Sequence, residues 1–300
     1  MKNKNLSFNQ FEVLTTIEQS KEKLSQREIA KLTNLSLGTV NKIISELEEK
    51  EYIDAENKIT ALGLEMLEPF KVKRAIFLAA GFGSRMRPIT LNTPKPLVRV
   101  HGRRIIESSI DALIEKGITE IYVVCGYLGE QFSVLKEKYP NITLINNPIY
   151  NETNNISSAL LVRDKFRNAY VMEADLLVHN PDIIKKYQYS SNYTGRYVDE
   201  TNDWCFKMKN GYIDKLQVGG TDCYHTYCIA YFDEEDGAQM EKDIELSFDI
   251  PGARDKVWDY IALEYFKEHY KISVRDVLES DITEIDTFNE LKAIDKTYDV

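Results

Sequence analysis

The chain has 300 residues, 43% of them hydrophobic and 29% charged, with 48 acidic residues against 38 lysines and arginines and a formal net charge of −10. A chain of this size and balance is expected to fold as one large domain with a smaller companion, and its acidic total argues against a surface built throughout as an electrostatic trap for nucleic acid. The N-terminus MKNKNLSFNQ lacks a secretory apolar stretch, no run approaches the ~18 apolar residues of a membrane span, and four cysteines (Cys125, Cys205, Cys223, Cys228) lack C-x-x-C spacing, so the expectation is a cytoplasmic protein with reduced thiols, no membrane partner, no zinc site and no disulfide framework.

Residues 1–70 read as helices followed by a short hairpin. Ser25 and Glu28 form a capping box that opens a helix with Ile29, Ala30 and Leu32 on one face, ending near Asn34. Ser36 can cap the next helix, in which Val40, Ile43, Ile44 and Leu47 recur at helical spacing. Tyr52-Ile53-Asp54 and Lys58-Ile59-Thr60 then flank a polar turn, as in a β-hairpin. This helix-turn-helix with a wing resembles a bacterial winged-helix domain of the MarR-like type, carried by LSQREIAKLTNLSLGTVNKIISELEEKEYI. The resemblance implies that Ser36, Thr39, Asn41 and Lys42 approach a major groove, with DNA as a partner. Nine basic against twelve acidic residues in this segment leave the alternative open, a winged helix used for docking or for a homodimer.

From Lys71 strands and helices alternate. Ala75–Ala79 reads as a central strand covered on both faces, 105–116 as an amphipathic helix, 121–125 as a second buried strand and 130–138 as a helix. Strand 143–145, helix 157–162 and strand 169–172 follow, and such repeated units imply an α/β fold with a mostly parallel sheet between helices. Between Lys71 and Ile106 lie nine basic residues and no acidic one, a segment expected to face an anion, although Arg103-Arg104 is equally well a solvated basic strip.

Within that segment a glycine-rich turn, Leu78-Ala79-Ala80-Gly81-Phe82-Gly83-Ser84-Arg85, leaves the first strand, and Thr93-Pro94-Lys95-Pro96-Leu97 follows. Gly81 and Gly83 let backbone N–H groups approach phosphate oxygens. The Gly-Lys-Ser/Thr of a Walker loop is absent, and Met86 stands where a dinucleotide fingerprint needs its third glycine. Two cations beside such a cradle, Arg85 and Lys95, suit a triphosphate. The string resembles the LAAGxGxR…PK signature of the sugar-phosphate nucleotidyltransferase superfamily. By that resemblance the domain over residues 71–300 is a Rossmann-like nucleotidyltransferase with a mixed, mostly parallel sheet. Arg85 then binds the β- and γ-phosphates, Lys95 contacts the α-phosphate, both acting as catalytic residues, and Leu78, Ala80, Gly81, Gly83 and Ser84 line the nucleotide site.

Phosphoryl transfer of this kind calls for Mg²⁺, which prefers carboxylate oxygens. Asp175 lies just past strand 169–172, at the end where open α/β sheets hold ligands, with Glu173 two residues away as its rival. The resemblance implies a second ligand, Asp259 in a Trp-Asp pair, read here as lying on a helix with Val257, Ile261 and Tyr265 on its apolar side; Asp255, one turn earlier, favours the helix start.

Gly126-Tyr127-Leu128-Gly129-Glu130-Gln131-Phe132, Asn154–Leu160 and Ile285–Leu291 narrow the resemblance to bacterial CTP:phosphocholine cytidylyltransferases, over nearly all of 73–293. That implies CTP and phosphocholine as substrates, giving CDP-choline and pyrophosphate by in-line attack of an ionised phosphate, with no general base. A quaternary ammonium is recognised by aromatic faces. Trp204 with neighbouring Asp203, Tyr227 and Trp258 are the expected acceptor residues, while Asn155 and Ser158 serve base or ribose, or Asn155 caps a helix. Glu173, standing where relatives often have aspartate, and Ile156-Ser157, in place of a more aromatic pair, depart from the pattern. They leave a sugar 1-phosphate or an aminoalkylphosphonate open as the acceptor, and a nucleotide-sensing regulator open as the alternative to an enzyme.

Overall fold

Serine and threonine caps set the helices of the N-terminal unit. In the computed structural model, which describes residues 5–299, α1 (Phe8–Gln19) and α2 (Gln26–Thr33) each open on a capping box, formed by Ser7 with Gln10 and by Ser25 with Glu28. Asn34 closes α2 in the left-handed conformation, φ 55°, and Ser36 Oγ accepts the Thr39 N–H at 3.1 Å to open α3 (Leu37–Glu49). The periodic residues Ile29, Val40, Ile43, Ile44 and Leu47 are buried together with Phe11 and Leu14. The wing is smaller than a hairpin: one antiparallel bridge joins Ile53 and Ile59. Asp54 shortens it, because its carboxylate takes the N–H groups of Glu56 and Lys58, both at 2.9 Å, and closes the turn on itself. Helix α4 (Ala61–Leu67) follows, and the unit runs to Lys71.

A second unit spans Val72–Val300. Its strands are β1 (Arg74–Ala79), β2 (Arg99–Val100), β3 (Arg103–Arg104), β4 (Glu120–Cys125), β5 (Ile142–Asn146), β6 (Ala169–Glu173), β7 (Leu176–Val178), β8 (Asn192–Lys209), β9 (Tyr212–Phe232), β10 (Ser273–Asp276) and β11 (Ile282–Glu284). Seven of them form one sheet in the order β10-β8-β9-β6-β1-β4-β5, parallel except where β9 pairs with β6 and β8. In β1 the period of two divides the core: Ala75, Phe77 and Ala79 join one apolar cluster, Ile76 and Leu78 the other. Helix α5 (Ile105–Glu115) closes the first face with Ile106, Ile110 and Leu113. Helices α7 (Ile156–Leu161) and α8 (Glu234–Ser247) close the second with Ile156, Met240 and Ile244.

Two segments differ from the expected elements. The helix expected over 130–138 is a 3₁₀ run, Gly129–Val134, leading into a single α-helical turn, α6 (Leu135–Lys138). Asp259 is not on a regular helix. Pro251 and Gly252 (φ 77°) start a 3₁₀ turn at Ala253–Asp255, and the Trp258 N–H donates to Asn155 Oδ1 at 2.8 Å instead of to a preceding carbonyl; a π-type turn, Ile261–Tyr265, comes only after it.

Candidate active site

The first turn after β1 is shaped by a glycine that cannot be exchanged freely. Gly83 has φ 60°, and a Cβ there would stand 2.9 Å from Lys95 Cβ and 3.1 Å from Thr90 Cγ2. The Thr90 hydroxyl donates to the Gly83 carbonyl at 2.8 Å, so the loop is packed directly on the segment that carries Lys95. At Gly81 a side chain would meet nothing within 4 Å, because that stretch of backbone faces an open cavity.

The cavity, about 640 Å³, is lined by the loop residues Leu78, Ala80, Gly81, Gly83, Ser84 and Arg85. Lys95, Asn155 and Ser158 line it as well, and so do Asp175, Asp259, Asp203 and Trp204. Thirteen positions expected from sequence to serve one site therefore meet in one hollow at the carboxyl ends of β1 and β6. Lys95 Nζ lies between two carboxylates, 2.7 Å from Asp175 Oδ2 and 2.7 Å from Asp286 Oδ1. Burial alone would push the Lys95 ammonium down, but Asp175 and Asp286 outweigh it and hold the group above its ordinary value. Arg85 is exposed, and its Nη2 reaches the same Asp286 oxygen at 2.8 Å.

Beside Lys95, Glu173, Asp175 and Glu284 bring carboxylate oxygens within 4.8 Å of one another, and Asp175 Oδ1 is buried with no hydrogen-bond partner. Burial and then repulsion by Asp175 and Asp259 push Glu173 well above the usual carboxylate range, with Lys95 opposing; burial, Asp175 and Asp286 do the same to Glu284. Asp259 lines the cavity outside that trio. Burial pushes it up to about 6, and the Tyr193 hydroxyl, which donates to its Oδ1 at 2.8 Å, works the other way.

Asn155 does not cap α7 with its side chain; it holds the Trp258 N–H and so ties the start of α7 to the Asp259 segment. Ser158 Oγ accepts from the buried Asn147 amide at 3.0 Å. Two of the expected acceptor residues lie elsewhere. Tyr227 is buried and points away from the cavity, because its neighbours Thr226 and Cys228 occupy the facing positions of β9. Trp258 is 1% exposed and belongs to the core, stacked on Tyr193 at 6.2 Å and edge-on to Phe166 and Phe232. Arg103 and Arg104 are held by Asp111 and Glu107, at 2.5 and 2.8 Å, away from the cavity.

Glu284 and Asp286 had not been singled out as site residues. The alternation in Glu284-Ile285-Asp286 was the available signal: Ile285 is buried, and Glu284 and Asp286 reach the cavity from either side of it. In the N-terminal unit, Ser36 and Thr39 are engaged with each other at 2.8 Å at the start of α3, whereas Asn41 and Lys42 are exposed. Among the described residues no helix is long and apolar enough to cross a membrane.

Residues 74–201 match the nucleotidyl transferase family and residues 9–54 a winged helix-turn-helix DNA-binding family. The chain is 36% identical over 228 residues to a 2-aminoethylphosphonate cytidylyltransferase from Lancefieldella rimae, covering 75% of this chain and 92% of that protein. It is 31% identical over 224 residues to a choline-phosphate cytidylyltransferase from Streptococcus pneumoniae, covering 74% and 97%. The solved structure of CTP:phosphocholine cytidylyltransferase from Streptococcus pneumoniae superposes with a TM-score of 0.68 at 31% identity, covering 76% of this chain and 99% of that one. The chain is thus a member of the nucleotidyl transferase family, in its cytidylyltransferase branch, with a winged helix-turn-helix domain at its N-terminal end.

Proposed function

We propose that the chain transfers CMP from CTP to a small phosphate or phosphonate that carries an ammonium group, releasing pyrophosphate. One observation carries this reading: the glycine loop, Arg85 and Lys95 line one cavity with three converging carboxylates, one of which, Asp175, Lys95 touches. The acceptor's ionised oxygen attacks the α-phosphorus, a P–O bond to the acceptor forms, and the bond to pyrophosphate breaks. No proton has to move. Lys95, kept charged by Asp175 and Asp286, offers its ammonium to the α-phosphate, while Arg85 and the N–H groups of the loop take the β- and γ-oxygens.

The carboxylate set fits Mg²⁺, a hard cation, and the unpartnered Asp175 Oδ1 is where such an ion lacks a competitor; Asp175, Glu173 and Glu284 are the residues we propose to hold it, with Asp259 nearby. Bound there, Mg²⁺ supplies charge neutralisation for the phosphate oxygens.

For the acceptor, Trp204 lines the cavity together with Phe82, Tyr150 and Phe206, and the carboxylates Asp203 and Asp255 also line it. A primary ammonium donates hydrogen bonds to carboxylates, whereas a quaternary one depends on aromatic faces. The carboxylates suit the primary ammonium of 2-aminoethylphosphonate, the acceptor we propose. The likeness to the Lancefieldella rimae protein supports it too. The test is kcat/KM at fixed CTP for 2-aminoethylphosphonate, phosphoethanolamine, phosphocholine and glucose 1-phosphate. We expect the first to rank highest and the sugar phosphate lowest; turnover of phosphocholine alone would reverse the acceptor assignment.

A further inference from the structure

One oxygen, Asp286 Oδ1, accepts from both Arg85 Nη2 and Lys95 Nζ, at 2.8 and 2.7 Å. These are the two cations that the proposed function reserves for the polyphosphate. The carboxylate is fixed from behind. The N–H groups of Asp286 and Thr287 donate to Glu290 Oε2 at 2.7 and 2.8 Å, where Thr287 caps α9 (Phe288–Ile294), and the Ile285 N–H donates to the Asp175 carbonyl at 3.2 Å. Lys95 and Asp286 are enclosed, with side chains 12% and 14% exposed, while Arg85 is 67% exposed.

We infer that Asp286 is an internal stand-in for phosphate: its carboxylate occupies the anion position between Arg85 and Lys95, competes with the incoming triphosphate, and returns to that position as pyrophosphate leaves. This rests on the reading of the cavity as the nucleotide site. Two like charges cannot share the two cations at full strength, so a bound polyphosphate must draw Arg85 and Lys95 off Asp286. The fixed backbone of residues 285–287 then keeps the carboxylate poised beside them. Asp286 acts through the two cations and is a positioning residue.

The competition has a signature that a merely structural role lacks, namely that removing the charge tightens binding. Titration of inorganic tripolyphosphate into the full chain with a chelator present needs neither the base nor the metal. Asp286→Asn and Asp286→Ala, checked for an unchanged melting profile, are expected to bind it more tightly on the order of tenfold. With CTP and acceptor, the inhibition constant for pyrophosphate should fall by the same factor. Lys95→Met sets the reference. If it leaves tripolyphosphate binding unchanged, the nucleotide-site reading fails and this inference with it. If it weakens binding while both Asp286 variants bind as the wild type or more weakly, the stand-in role alone is overturned.

Discussion

Lys95 is the residue on which the site turns, because it touches the carboxylate proposed for the metal and the carboxylate that competes with phosphate through one ammonium. Lys95→Met is expected to lower kcat about 10²–10³-fold, the usual loss when one preorganised charge at a reacting phosphate is removed, with the fold intact by circular dichroism. The two tryptophans separate binding from packing. Trp204→Ala is expected to raise the acceptor KM with little change in melting temperature, the lost cation–π contact being worth about 0.5–2 kcal/mol. Trp258→Ala is expected to destabilise the domain by about 3–5 kcal/mol, because it empties the middle of an aromatic cluster. Equal acceptor KM values in the two variants would contradict this division. The phosphate-loop residues and Asp175 could be read from the chain because each is local to a strand end and a turn. Tyr227 and Trp258 could not be assigned that way: a burial direction is set by the face of β9 or the partner of an irregular turn, and neither is written in residue type.

Elements bring the carboxylates together from far apart: Glu173 ends β6, Glu284 ends β11, and Asp259 sits in the irregular stretch after Ala253–Asp255. Without a cation this convergence opposes folding at neutral pH. Asp259 is raised from 3.8 to about 6, so the stability it contributes is present in full below 3.8 and is lost as the pH rises through about 6; Glu173 and Glu284, also raised, act in the same direction. The chelator-treated protein is therefore expected to melt at a lower temperature at about pH 8 than at about pH 5, and Mg²⁺ should recover more of the loss at the higher pH. Asp259→Asn should flatten part of this dependence. A melting temperature that rises between those two pH values without metal would refute the electrostatic picture. The alternating strands and helices up to β6 were legible from apolar runs and caps. The long hairpin of β8 and β9 was not, since its strands carry exposed polar and charged residues through their middle and close through Asn210 and Gly211, both at positive φ. The wing was over-read for the opposite reason: its residues suit strands, but Asp54 closes the turn first.

At the scale of the whole molecule, every residue lining the cavity belongs to Val72–Val300. A truncated chain starting at Val72 is expected to keep kcat/KM within about twofold of the full protein, as a self-contained domain should. The winged helix-turn-helix unit offers exposed Asn41 and Lys42 on α3, yet residues 1–70 hold more acids than bases. Binding of duplex DNA by this unit is therefore expected to be weak and to fall as salt rises, and Lys42→Ala should reduce the salt slope. The central claim is the cytidylyl transfer itself, and the direct measurement is pyrophosphate release from CTP, with Mg²⁺, against 2-aminoethylphosphonate. The account predicts release that requires all three components and disappears in Asp175→Asn. Release that proceeds without acceptor, or an Asp175→Asn enzyme as active as the wild type, would contradict it.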